Sequence, residues 1–326
     1  TVYKSSAASD VYKRQLRCLD GATGKLLWSD DIPASYGVTA DQDLNAVAWG
    51  RAASPLIVDD KVVVPFGGPA DGPYDSLAAY DAESGELVWK GGDQQVSYSS
   101  PALTTLVGQR QIVIVNESSV SGHVPETGDV LWSYPWPGSS TSSASASQAV
   151  PLSDDRVLLS KGYGQGAELI QIQAAENGNL KAVSVWSNTR VLKTKFTNVV
   201  VLGDEIYGLS DGILECVRLS DGERLWKDRR RADLEHGQLL CVGDLLLAQA
   251  ESGDVVLFQP DPTGYRELGR LAALSDQTWN NLCLYGPYLL TRNSVEAACF
   301  KLPLLEAADQ PEADGTAASE DQGTDE

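Results

Sequence analysis

Methionine is absent from this chain, histidine occurs only twice, and lysine plus arginine number 25 against 45 aspartates and glutamates. Each shortage excludes something. Two histidines, His123 and His236, are too few for a histidine-rich zinc site. A net charge of −20 leaves no clustered basic face for a phosphate backbone, so no nucleic-acid partner is expected. No stretch reaches the roughly 18 uninterrupted apolar residues of a membrane helix, and no transmembrane segment is expected. The five cysteines form neither a CC pair nor a CxxC motif. Those that share repeat positions in apolar strands (Cys18, Cys216 and Cys299; Cys241 and Cys283) read as small core residues. No GxSxG elbow occurs, and "KGYGQG" (161–166) has the wrong glycine spacing for a dinucleotide loop. The opening "TVYKSSAASDVYKRQ" is polar and resembles nothing later, so residues 1–15 are set aside as a non-native leader. Residues 304–326 end in a stretch whose only charges are acidic, and they are expected to form a disordered tail.

What the chain has is a phrase repeated. "DGATGKLLW" (20–28), "DAESGELVW" (81–89), "PETGDVLW" (125–132) and "LSDGERLW" (219–226) each run through a glycine turn to a tryptophan. Trp28, Trp89, Trp132, Trp186 and Trp226 recur at the interval of a propeller blade, about 40 to 50 residues, with insertions in two intervals. Between them lie short runs rich in valine, isoleucine and leucine, separated by Asp, Gly and Ser turns. "ASPLIV" (53–58), "KVVVPF" (61–66), "SLAAYD" (76–81) and "ELVWK" (86–90) give four antiparallel strands per repeat. Six first hairpins begin near residues 53, 101, 149, 198, 239 and 282, and "LRCLDGATGKLLW" supplies the end of an earlier unit. The expectation is an all-β chain, a β-propeller over residues 16–303, with seven blades and eight as the alternative. "SSTSSASAS" (139–147) reads as a flexible connection.

The repeated phrase resembles that of the pyrroloquinoline-quinone-like propeller family, which includes quinoprotein alcohol dehydrogenases and the outer-membrane assembly lipoprotein BamB. The resemblance implies a propeller. It leaves two functions open: a non-catalytic binding scaffold of the bacterial cell envelope, periplasmic or outer-membrane-associated, or a dehydrogenase using the quinone with calcium. The dehydrogenases carry adjacent cysteines that stack on the quinone, and this chain has none. Only Asn116 and Glu117 offer a carboxylate–amide pair for the calcium in a suitable loop. The first reading needs no cofactor.

Loops entering each first strand and leaving each second strand are expected at one end of the ring, where propellers bind. They carry Trp49, Arg51, Tyr98, Asn116 and Glu117 in the first half of the chain. In the second half they carry Tyr163, Lys193, Lys195, His236, Trp279, Asn280, Arg292 and Asn293. The opposite turns ("VDDK", "ESGE", "LGDE") are plainly acidic. Aromatic, basic and amide residues at one end suit protein partners or an anionic small ligand. The competing reading is that they hydrogen-bond neighbouring loops and seal the ring.

Overall fold

The computed structural model describes residues 4–7, 14–176, 178–228 and 231–303. Apolar runs broken by tight turns fold into seven consecutive antiparallel sheets. The second is formed by Leu56–Val58, Lys61–Gly67, Asp75–Asp81 and Leu87–Gly91, close to the spans read from sequence. The third to sixth repeat this meander within residues 102–135, 150–188, 200–227 and 238–272. The first sheet (Lys4–Ala7, Gln15–Asp20, Leu26–Asp31) and the seventh (Cys283–Tyr285, Tyr288–Arg292, Ala297–Lys301) have three strands each. The acidic tail lies outside the described residues.

Alternation along each strand gives every sheet two faces, and each sheet packs on the next. Leu16 meets Val64 and Tyr80 between the first and second sheets, and Val63 and Ala79 meet Ile112 and Ile114 between the second and third. Equivalent clusters follow down to Val255 and Leu289 between the sixth and seventh. This radial stacking makes the chain a β-propeller.

The repeated phrase is the joint between sheets. Trp28 donates from Nε1 to Ala82 O (3.2 Å) and Trp89 to Pro125 O (3.2 Å), each reaching the outer turn of the following sheet. Trp186 and Trp226 do the same to Leu219 O and Asp261 O, both at 2.8 Å. The glycine of that turn is the platform. A Cβ on Gly85 would lie 2.5 Å from the Trp28 ring, and one on Gly128 2.5 Å from Trp89, while φ of +77° and +78° suits glycine in any case. Trp132 turns differently. Its Nε1 donates to Gln111 Oε1 (2.5 Å) within its own sheet, and its ring still fills the gap to the fourth.

Within residues 1–15, Lys4–Ala7 pairs antiparallel with Arg17–Asp20. Two expectations need correcting. The serine-rich stretch 139–147 is no loose connection. Ser140 Oγ donates to Val96 O (2.6 Å), Ser145 N to Ser97 Oγ (2.9 Å) and Tyr98 N to Ser145 O (3.0 Å). Small side chains let this loop approach residues 95–98, and its hydroxyls satisfy backbone groups that burial would leave unpaired. The cysteines divide: all are free, Cys18 and Cys216 are buried, and Cys241, Cys283 and Cys299 are exposed. Cys283 and Cys299 lie on a face of the seventh sheet that no described residue covers.

Candidate functional site

Each innermost strand is entered through a polar residue: Ser54, Ser100, Gln148, Asn198, Gln238 and Asn281. Several bond across to a neighbouring loop. Ser54 N donates to Ser100 Oγ (2.8 Å) and Gln148 N to Asn198 Oδ1 (2.8 Å). Gln238 Nε2 reaches both Phe196 O (3.1 Å) and Trp279 O (3.0 Å). This is the sealing role the sequence left open, and it holds the loops in a ring around a cavity of about 790 Å³. Loops entering five sheets line that cavity, joined by Tyr163 and Arg292 from the ends of second strands.

Of the residues expected at this end, Trp49, Tyr98, Tyr163, Lys195, Trp279, Asn280 and Arg292 line the cavity. Trp49 (52% exposed) leans on Tyr98 with ring centroids 5.6 Å apart, and Trp279 (48% exposed) leans on Phe196 at 5.1 Å. Tyr98 is fixed by its hydroxyl, which donates to Ser140 O (2.5 Å) and accepts from Trp49 N (3.1 Å). Burial pushes that phenol up to about 12. Tyr163 holds its half-exposed ring at the rim from a φ of 56°, a conformation bulky residues rarely adopt.

The remaining candidates lie elsewhere. Arg51 is buried, and its guanidinium is paired with Asp43 (2.8 Å) and bonded to the Tyr36 hydroxyl and Phe66 O. It adds no charge to the cavity, because a buried guanidinium is retained only where a carboxylate and acceptors surround it. Asp43 sits on a one-turn helix, Ala40–Asp43, whose Thr39–Gln42 capping box was legible but unread in the sequence. Asn116 is buried, donating to Ser119 Oγ and Ser121 Oγ, and Glu117 Oε1 accepts from Ser140 N (2.7 Å). Lys193 is paired with Asp211 at 2.5 Å. His236 packs its ring on Phe196 at 5.4 Å without lining the space, and Asn293 is buried against Thr278. Sequence reasoning missed Phe196, Gln148, Asn198 and Asn281, although one polar residue before every first strand was a readable pattern.

The electrostatics are unusual for so acidic a chain. Among the described residues no aspartate or glutamate lines the cavity, yet Lys195 and Arg292 do. Among the described residues neither cation has an ion-pair partner. With its amide turned to satisfy both groups, Asn280 accepts from the Arg292 guanidinium at 3.2 Å and donates to Arg292 O at 3.3 Å. Two cations without ion-pair partners in a concave space raise the local potential toward anions.

A family model described as outer membrane protein assembly factor BamB matches residues 4–228, more than half of the chain. The chain belongs to that family. BamB from Moraxella catarrhalis is similar in structure, with a TM-score of 0.59 at 16% identity over 93% of this chain and 81% of that one. The quinohemoprotein alcohol dehydrogenase from Comamonas testosteroni is also similar, with a TM-score of 0.57 at 12% identity over 88% of this chain and 60% of that one. At such identities the likeness shows the fold alone. In sequence, 93 residues (27% of this chain) are 32% identical to quinohemoprotein alcohol dehydrogenase ADH IIB of Pseudomonas putida. The match spans only 12% of that enzyme.

The similarity to quinohemoprotein alcohol dehydrogenases raises the question of a quinone with calcium. Calcium takes about six to eight oxygen ligands from carboxylates, backbone and amide carbonyls and waters. Among the described residues the cavity lining offers no carboxylate. Asn116 Oδ1 is buried without a partner, but Glu117 is committed to the Ser140 amide and neither residue lines the cavity. Among the described residues no group of three His, Cys, Asp or Glu stands ready for a metal. Asn116 and Glu117, the pair the resemblance pointed to, are therefore not placed to hold calcium and a quinone in this cavity.

Proposed function

We propose that this protein is a non-catalytic binding propeller of the bacterial cell envelope, periplasmic or associated with the outer membrane. It takes an anionic group into the loop-lined cavity, from a small ligand or from a protein partner. The observation that carries this reading is the lining itself. An otherwise acidic molecule keeps carboxylates out of one cavity and places two unpaired cations there beside half-exposed aromatic rings. Like charges gathered without counter-charge cost stability, and a bound anion removes that cost. Membership of the BamB family supports the envelope setting and a binding role.

The second reading is a quinone-dependent alcohol or sugar dehydrogenase, favoured by the 93-residue similarity to ADH IIB. The two separate in one assay. Purified protein is incubated with pyrroloquinoline quinone and calcium, desalted, and tested for a retained chromophore and for dye reduction with ethanol and glucose. No retained chromophore and no reduction are expected. A stoichiometric chromophore with alcohol-dependent dye reduction would overturn the non-catalytic reading.

A further inference from the structure

We infer that the cavity is a site for a short acidic oligosaccharide, a chain of two or three sugar rings bearing carboxylates. This rests on the anion-binding reading above and adds to it the class of ligand. Four kinds of observation converge on that class.

The first is the nature of the apolar surface. Among the described residues no branched aliphatic side chain lines the cavity, which is unlike the pockets that take leucine or valine side chains of a peptide. Its apolar area comes from alanines and from aromatic rings. Trp49 and Trp279 present about half of their surface, each in a tilted contact with another lining ring, Tyr98 or Phe196. Flat, rigid, half-exposed indoles suit the C–H faces of pyranose rings, which are apolar on the face and polar at the edge. Two such pairs in different loops provide for more than one ring.

The second is the polar complement. Gln148, Asn198, Asn280 and Asn281 line the same space. Each carboxamide carries both donor and acceptor, and so does each sugar hydroxyl, so the two classes satisfy one another. Part of their capacity is already used, by Gln148 Nε2 on Pro101 O, by Asn198 Oδ1 from Gln148 N and by Asn280 with Arg292, and what remains suits scattered hydroxyls better than a planar aromatic acid.

The third is charge. Lys195 and Arg292 require an anion, and guanidinium recognises carboxylate in a planar, two-bond manner. A neutral sugar would leave both uncompensated.

The fourth is shape. About 790 Å³ falls within the range of roughly 300–1,000 Å³ that holds drug-sized ligands. Asn281 and Arg292 also border a second, separate cavity of about 340 Å³ over Cys283, Leu290 and Cys299 of the seventh sheet.

The test is isothermal titration calorimetry at fixed ionic strength with trigalacturonic acid, uncharged maltotriose, citrate and a hexa-aspartate peptide. Trigalacturonic acid should bind best. Trp49→Ala/Trp279→Ala should weaken it about tenfold or more, equivalent to about 1.4 kcal/mol, and leave citrate unaffected. Lys195→Ala/Arg292→Ala should abolish the preference for trigalacturonic acid over maltotriose. All four positions lie on the cavity surface and not in a sheet core, so unchanged melting of each variant checks that folding is intact. Citrate and trigalacturonic acid binding equally, with the tryptophan variant indifferent, would overturn the saccharide inference while leaving the anion reading in place. Tighter binding of the aspartate peptide would overturn it in favour of a peptide. Binding of none of the four would remove both.

Discussion

Lys161 ends a strand of the fourth sheet with 1% of its surface exposed, and its Nζ donates to Pro137 O at 2.8 Å. Burial pushes this ammonium down to about 8 from the usual 10.5, and the nearby Glu117 carboxylate only partly opposes the effect. Between pH 8 and 10.5 the unfolded chain therefore binds more protons than the folded one, and stability rises with pH in that window. Below pH 8 both states are protonated and the cost of the buried charge is constant. Denaturant unfolding at pH 7.5 and 9.5 should show the wild type gaining about 1–2 kcal/mol on a Lys161→Met variant. A difference independent of pH would mean the ammonium is solvated. Other residue-scale facts could not be read from the chain. Arg51 and Lys195 look alike in sequence, both cations in entry loops. Only the one-turn helix that brings Asp43 under Arg51 separates them.

At the scale of the element, the blade joint was legible because it is local. A glycine turn and a tryptophan a few residues later are set by backbone φ and by the size of an indole, and both repeat. Trp89 and Trp132 are buried at 9% and 3% exposure, between sheets. Replacing either with alanine should cost about 3–5 kcal/mol in denaturant unfolding. Unchanged stability for both would mean that the joints are not where the sheets are held together. The loops were less legible. The serine-rich stretch 139–147 has the composition of a linker, but its order comes from partners nearly 50 residues away at Val96 and Ser97. Of the cavity residues in the entry loops, Trp49, Tyr98, Lys195, Trp279 and Asn280 were read from the sequence, whereas Phe196 and the amides Gln148, Asn198 and Asn281 were missed. In sequence an amide looks the same whether it seals two loops or faces a ligand.

For the whole molecule, the sheets are ordered by their neighbours, and the cysteines show what a missing neighbour does. Cys216 is buried between the fifth and sixth sheets, which pushes its thiol up to about 12, whereas Cys299 lies open at an equivalent strand position of the seventh. Repeat position alone predicts burial only where another sheet follows. Charge is also organised at this scale. Aspartates and glutamates crowd the outer turns and the tail and also gather beside the entry loops at Asp233, Glu235, Glu251 and Asp276, yet among the described residues none lines the loop-lined cavity. The central claim is that this separation serves to hold an anion, and it is tested most directly by thermal melting with increasing citrate at constant ionic strength. Constant ionic strength matters because salt alone relieves repulsion in a chain of net charge −20. The wild type should melt at progressively higher temperature as citrate rises, and Lys195→Ala/Arg292→Ala should fold normally and lose that response. An unshifted wild type, or a variant that responds equally, would contradict the account.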